Sequence, residues 1–190
     1  QAGPLCTGAV TNGHFHMDGA FADQLHALKM VACSSVGYET IDVGALTERG
    51  IRFTNTPDVL TDDVADMASL LMLASRRRLL QGDRYVRSGD WGRKGMMGLT
   101  SRTAGSRVGI AGMGRIGQAI ARRCAAMEQE IGYFSRSEKP ETGYLFFPRL
   151  AELAQWADTL IVVTPGGPET KGMISREVLH ALGPQGTFIN

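Results

Sequence analysis

The chain has 190 residues, 43% hydrophobic and 21% charged, the balance of a soluble globular protein with mass for one large domain or two small ones. A formal net charge of +1 gives no bulk attraction to nucleic acid or to an anionic membrane, and no apolar run reaches spanning length. No signal-peptide pattern is visible, and Cys6, Cys33 and Cys124 form an odd set without C-x-x-C spacing, which predicts reduced, buried thiols in a cytoplasmic protein with no metal site.

In chain order, Thr7 to Val10 reads as a strand ending at Thr11-Asn12-Gly13. Asp18 to Leu28 has helical spacing, with Phe21, Leu25 and Leu28 on one face. Met30 to Cys33 is the next strand, followed by the small-residue loop Ser34 to Tyr38. Ile41 to Arg49 reads as a helix stopped by Gly50, and Ile51 to Asn55 as a strand closed by Thr56-Pro57. Strand and helix alternate, so the fold class is α/β with parallel sheets.

Thr61 is placed to cap a long helix, with Asp62 and Asp63 in its first turn. Val64, Met67, Ala68, Leu70, Leu71, Leu73 and Ala74 make it apolar nearly all round, the mark of a helix buried between layers or subunits. Arg76-Arg77-Arg78 reads as its solvated end. Gln81 to Ser106, rich in Gly, Arg and Ser, is the expected domain crossing.

The strongest motif follows. Val108 to Ala111 is a short apolar run, and Gly112-Met113-Gly114-Arg115-Ile116-Gly117 fits G-x-G-x-x-G. Gln118 to Met127 continues with Ile116, Ile120, Cys124 and Met127 on one helical face. In this strand–turn–helix setting Gly112 serves the tight turn and Gly114 a close approach by pyrophosphate. Gly117 serves helix–strand packing, and the N–H groups at the helix start face the phosphates. The next strand, Ile131 to Phe134, ends in Ser135-Arg136-Ser137 with no acid at its tip. A carboxylate there would hold a ribose diol, whereas a guanidinium between hydroxyls suits a 2′-phosphate. NADP(H) is therefore the expected cofactor, with Arg136 as main phosphate ligand; NAD(H) is the other possibility. Pro148 to Trp156 reads as a helix and Leu160 to Val163 as a strand, ending in a loop from Thr164 to Pro168 where open sheets bind ligands. Ser175 caps a last helix, and Gly186 to Asn190 starts another strand.

These pieces together resemble the D-isomer-specific 2-hydroxyacid dehydrogenases. The likeness rests on Val36-Gly37-Tyr38, Asn55-Thr56-Pro57 through Asp62-Asp63-Val64-Ala65-Asp66, Arg76-Arg77, the glycine motif, Pro168-Glu169-Thr170 and Phe188-Ile189-Asn190. Ser135-Arg136-Ser137-Glu138-Lys139-Pro140 resembles the NADPH-dependent glyoxylate/hydroxypyruvate reductases within that family. The resemblance implies a Rossmann-like dinucleotide-binding domain plus part of a flavodoxin-like substrate domain. The corresponding division is 1–80 for the substrate part, 81–106 for the crossing and 107–190 for the cofactor domain. It implies substrate-carboxylate binding by the N–H groups of Val36 and Gly37. The pyrophosphate would lie at Gly112, Met113, Gly114, Arg115 and Ile116, the adenosine phosphate at Ser135, Arg136 and Ser137, and the riboses beside Thr164 and Pro165. It further implies a homodimer reducing a small 2-keto acid such as glyoxylate or hydroxypyruvate.

The family's catalytic Arg, Glu and His fall beyond Asn190 on this resemblance, so the chain reads as an internal stretch of a longer enzyme that binds cofactor without turnover. His14, His16, His26 and His180 do not match the catalytic position; the first two fall in a loop and the others in helices. Two other readings remain. One is an NAD-dependent dehydrogenase for a bulkier 2-keto acid, and the other is a non-catalytic dinucleotide-sensing scaffold.

Overall fold

The computed structural model describes residues 3–190, which divide into two compact units, 1–60 with 165–171, and 61–164 with 172–190.

The first unit is built on three parallel strands in the order β1 (Gly8–Thr11), β2 (Met30–Cys33) and β3 (Arg52–Thr54), with Gly8 beside Met30 and Met30 beside Arg52. Helix α1 (Gly19–Ala22) is capped by Asp18, whose Oδ1 accepts the Phe21 N–H at 2.9 Å. It is far shorter than the spacing predicted. After Asp23 the chain continues in i→i−3 turns, so His26 lies in a turn rather than a helix. The expected face nevertheless reaches the core: Leu28 is buried with Val31, Leu46 and Ile51, and Phe21 and Leu25 pack against them. Apolar spacing selects which residues go inside; it does not require one continuous helix to carry them there. Helix α2 (Val43–Glu48) begins at Asp42, which accepts the Ala45 N–H at 2.9 Å, and ends at Gly50, whose φ of +69° suits a glycine stop.

The second unit begins with α3 (Thr61–Arg76). Thr61 is its first residue rather than its cap, with Asp62 and Asp63 in the first turn as predicted. Arg78, in the left-handed region at φ +49°, separates α3 from α4 (Leu79–Arg87), and α5 (Asp90–Lys94) follows. The expected crossing at 81–106 thus holds most of α4 and all of α5. The division also falls at Leu60/Thr61 instead of near residue 80, because Ala65, Ala68 and Met72 of α3 share a core with the sheet and helix that follow. Arg77 and Arg78 are exposed, as a solvated end requires, but Arg76 is half-buried and both Arg76 and Arg77 are bonded. Arg76 donates to the carbonyls of Asp158 and Arg102 at 3.2 and 3.1 Å, and Arg77 to Thr100 Oγ1 at 3.0 Å, which ties down the stretch before the next strand.

Five parallel strands then run in the order β6 (Leu145–Phe146), β5 (Glu130–Phe134), β4 (Arg107–Ala111), β7 (Thr159–Val162) and β8 (Thr187–Ile189). This is the doubly wound order, and it reverses direction of growth between β4 and β7. Alternation sorts the strand residues. Val108, Ile110, Ile131 and Tyr133 meet α3 and α6 (Arg115–Ala126) on one face, while Ala111, Leu160 and Val162 meet α7 (Leu150–Trp156) and α8 (Arg176–Leu182) on the other. Gly109 and Gly132 leave room on that second face: a Cβ would stand 2.9 Å from Leu153 and 2.7 Å from Trp156 respectively. Ser175 Oγ accepts the Val178 N–H at 3.4 Å at the start of α8, as its capping role predicted. Cys33 and Cys124 are buried as expected, but Cys6, ahead of β1, is exposed. Burial pushes the Cys124 thiol up to about 11, which keeps it neutral and inert. Among the described residues no helix is long and apolar enough to cross a membrane, and no group of three or more His, Cys, Asp or Glu is placed to hold a metal ion.

Asp158 joins three strands at their amino ends. Its Oδ2 accepts the Arg107 N–H at 2.8 Å, its Oδ1 lies 3.3 Å from the Arg107 guanidinium, and its carbonyl accepts the Thr187 N–H at 2.9 Å. Partial burial alone would raise its pKa, but the backbone and guanidinium bonds from Arg107 outweigh that and hold the carboxyl below its ordinary range. Asp158→Ala is expected to cost about 1 kcal/mol near neutral pH, after discounting for partial exposure. A depressed folded-state pKa stabilises fully above the unfolded value of 3.8, and that margin is lost as pH falls through the folded value. Urea unfolding of both proteins should show the difference near neutrality and its disappearance in acid.

Candidate functional site

The carboxyl ends of β4, β5 and β7 lie side by side, and the loops that leave them form one crevice at the point where the strand order reverses. The first loop is Gly112 to Gly114. Gly112 has φ +103°, and a Cβ on it would sit 2.9 Å from the Val163 carbonyl oxygen and 3.1 Å from Thr164 Cγ2. The turn therefore runs hard against the end of β7 and admits only glycine. A Cβ on Gly117 would collide with the Gly112 carbonyl oxygen, so α6 starts directly behind the turn. A Cβ on Gly114, by contrast, would meet nothing within 4 Å. Gly114 is also the N-cap of α6, and no side chain caps that end. Free N–H groups, the positive end of a 12-residue helix and open space in front of them make an anion cradle.

Met113 and Ile116 contribute differently from what residue type suggests. Met113 is fully buried in the core with Ile120 and Tyr133, and Ile116 packs against the same cluster. Only their backbone can serve a ligand. Arg115 is exposed at the first turn of α6.

The second loop leaves β5. Ser135 Oγ donates to the Ser137 carbonyl at 2.6 Å, closing a tight bend that presents the exposed Arg136. No carboxylate stands between Phe134 and Ser137. The third loop leaves β7. Thr164 is half-buried beside Gly112, and its Oγ1 donates to Met173 Sδ at 3.4 Å. Gly112 to Ile116, Ser135 to Ser137 and Thr164 thus lie along the same edge of one sheet.

Pro165 belongs to the first unit with the rest of 165–171, and its carbonyl accepts Thr170 Oγ1 at 2.7 Å. In that unit Val36 and Gly37 lie in the loop after β2. Asn55 donates to the Val36 carbonyl at 3.0 Å, and Gly13 donates to Ser35 Oγ at 2.9 Å. Among the described residues the N–H groups of Val36 and Gly37 have no protein acceptor, so this loop holds two unused donors on a backbone fixed by Asn55. Asn55 falls in the Asn55-Thr56-Pro57 motif, but its role in holding the Val36 loop, like that of Ser35, is not visible there, because a loop-holding side chain has no spacing signature. Glu39 is a further case: its Oε1 accepts the Gly166 N–H at 3.3 Å across 127 residues of sequence.

The histidines lie apart from these loops in the sequence, with His14 and His16 after β1, His26 in its turn and His180 on α8. His16 makes an exposed 3.6 Å contact with Asp18.

Residues 69–190 match the model of the D-isomer specific 2-hydroxyacid dehydrogenase NAD binding domain. The chain belongs to that family. Relatives share the likeness well beyond the matched domain. Hydroxyphenylpyruvate reductase of Plectranthus scutellarioides is 48% identical over 181 residues, covering 95% of this chain and 58% of that protein. Glyoxylate/hydroxypyruvate reductase A of Arabidopsis thaliana is 46% identical over 181 residues, with the same coverage of 95% and 58%. The solved NADPH-dependent glyoxylate/hydroxypyruvate reductase of Sinorhizobium meliloti, in complex with NADP and malonate, superposes with a TM-score of 0.87 at 41% identity, covering 97% of this chain and 57% of that one. The chain therefore spans a little over half the length of these 2-hydroxyacid dehydrogenase relatives.

Gly117 and Gly114 should separate on substitution. Gly117→Ala is expected to destabilise by roughly 2–4 kcal/mol, since backbone must move to admit the methyl group. Gly114→Ala should leave the unfolding midpoint nearly unchanged, because its Cβ enters empty space. Parallel thermal melts check both.

Proposed function

We propose that the chain carries the cofactor half and part of the substrate half of an NADPH-dependent reductase for small 2-keto acids, with NAD(H) as the weaker cofactor. The observation that carries this reading is the single edge formed by an uncapped helix start with an open Gly114 and a neighbouring Ser-Arg-Ser loop without an acid. The turn from Gly112 to Ile116 holds the pyrophosphate through backbone N–H groups that follow Gly112, whose own N–H is taken by the Phe134 carbonyl. Ser135, Arg136 and Ser137 hold the adenosine 2′-phosphate. Thr164 and Pro165 border the riboses. The N–H donors of Val36 and Gly37 take the substrate carboxylate. The bound nicotinamide supplies hydride to the keto carbon. The groups that polarise that carbonyl and protonate its oxygen are not assigned to residues of this chain.

A bulkier 2-keto acid is a second reading, favoured by the 48% identity to a hydroxyphenylpyruvate reductase. A substrate panel from glyoxylate to aryl pyruvates, run on the whole protein, separates the two.

Self-association is part of the same proposal. Ala65, Ala68 and Met72 of α3 face inward, but Met67, Leu70 and Leu71 on its other side are exposed. In the stretch that follows, Leu80 is 71%, Trp91 55%, Met96 73% and Leu99 87% exposed. A run of large apolar side chains this extensive marks an interface, and a second copy of the chain fits it. Three free cysteines among the described residues suit the reducing cytoplasm, where we place the protein.

Two measurements test these assignments. Arg136→Asp is expected to weaken NADPH about 10–100-fold and NADH little, the scale on which a like-charge repulsion replaces one charge-assisted hydrogen bond. Equal binding of NADPH by variant and wild type would refute the 2′-phosphate site. In sedimentation, Leu70→Glu should convert dimer to monomer while leaving the unfolding midpoint of the monomer intact.

A further inference from the structure

Tyr133 is fully buried, yet it carries a hydroxyl that the surrounding core does not require. Its ring lies with Ile110, Met113, Ile120 and Ile131, and 5.4 Å from the Phe146 ring. A phenylalanine would fill that space. A buried hydroxyl is unfavourable unless it is hydrogen-bonded. The bond it makes is with the loop that follows its own strand: the Lys139 N–H donates to Tyr133 Oη at 2.6 Å. Lys139 is fastened from its other side as well, its carbonyl accepting the Thr142 N–H at 3.0 Å and Thr142 Oγ1 at 2.9 Å.

The loop between Phe134 and Lys139 is therefore fixed at both ends. At its start the Phe134 carbonyl accepts the Gly112 N–H at 2.8 Å, which ties it to the glycine turn. At its end the phenol holds Lys139. Between these anchors the Ser135–Ser137 bond closes the bend that presents Arg136. A loop this short with two fixed ends has few ways to arrange three phosphate-directed groups.

We propose that Tyr133 is a positioning residue for cofactor selection: through Lys139 it holds Ser135, Arg136 and Ser137 in the arrangement that favours a 2′-phosphate over a free 2′-hydroxyl. This rests on the NADP(H) reading above. Tyr133 is enclosed in the core and acts only through the loop. A guanidinium held in place recovers more of its interaction with a phosphate than one that must be ordered on binding. Releasing Lys139 should therefore weaken NADPH selectively, since NADH has no phosphate at that position.

The test is equilibrium titration of the wild-type protein, Tyr133→Phe and Thr142→Val with NADPH and with NADH, together with amide hydrogen exchange at Lys139. Tyr133→Phe is expected to weaken NADPH about five- to tenfold, the scale of one intramolecular hydrogen bond, to leave NADH within about twofold, and to speed exchange at Lys139. Thr142→Val, a change nearer the surface, should move the ratio in the same direction and decides the matter if the core variant fails to fold. An unchanged ratio in both variants, or equal weakening of both cofactors, overturns the role of Tyr133 while the wild-type preference for NADPH stands. A wild type that binds both cofactors alike overturns the cofactor reading itself, and this inference with it.

Discussion

The contact between the start of α6 and the end of β4 governs the second unit. The Gly112 carbonyl occupies the place where a side chain on Gly117 would be, so the helix axis begins in direct contact with the turn. From that closeness the rest follows. The helix N-terminus is aimed past the strand end, Gly112 must adopt φ +103° to make the turn, and the turn abuts Val163 and Thr164 of the neighbouring strand. The crevice exists because these backbones approach one another without side chains between them. The same closeness leaves the helix start without a side-chain cap, and an uncapped helix start is where an anion binds.

Helix α3 extends that arrangement outward. Small side chains, Ala65 and Ala68, let it lie against α6, and Arg123 of α6 reaches back to Asp66 and Asp62 at 2.6 and 3.0 Å. These ion pairs are exposed and each contributes little; the packing of the small residues with Met72 does the joining. The opposite face of α3 is left apolar and open. The helix thus has core on one side and exposed Met67 and Leu70 on the other.

Much of this is legible from residue order. The glycine spacing, the apolar strands on either side and the missing acid after β5 together define the fold class and the crevice, because each is a local requirement of backbone geometry or charge. The capping roles of Asp18, Asp42 and Ser175 follow the same logic, though only that of Ser175 stands out from the sequence. Other expectations fail where a local pattern is overruled. The stretch from Asp18 to Leu28 keeps its apolar spacing but breaks into turns after Asp23. The arginines at 76 and 77 look like a solvated end but bond carbonyl and hydroxyl groups far along the chain. The glycine-rich 81–106 region looks like a linker but forms α4 and α5.

Residue order alone dictates the alternation of strand and helix, the glycine turn before α6 and the charge of the loop after β5, since periodicity, glycine placement and side-chain charge act over a few residues. Three outcomes needed the folded chain: which unit α3 joins, that Asn55 fixes the Val36 loop from 19 residues away, and that the phenol of Tyr133 holds Lys139. They depend on which surfaces bury one another and on which distant donor meets a buried acceptor. No local pattern encodes such a meeting, because its free energy appears only once the strands have paired and the core has closed.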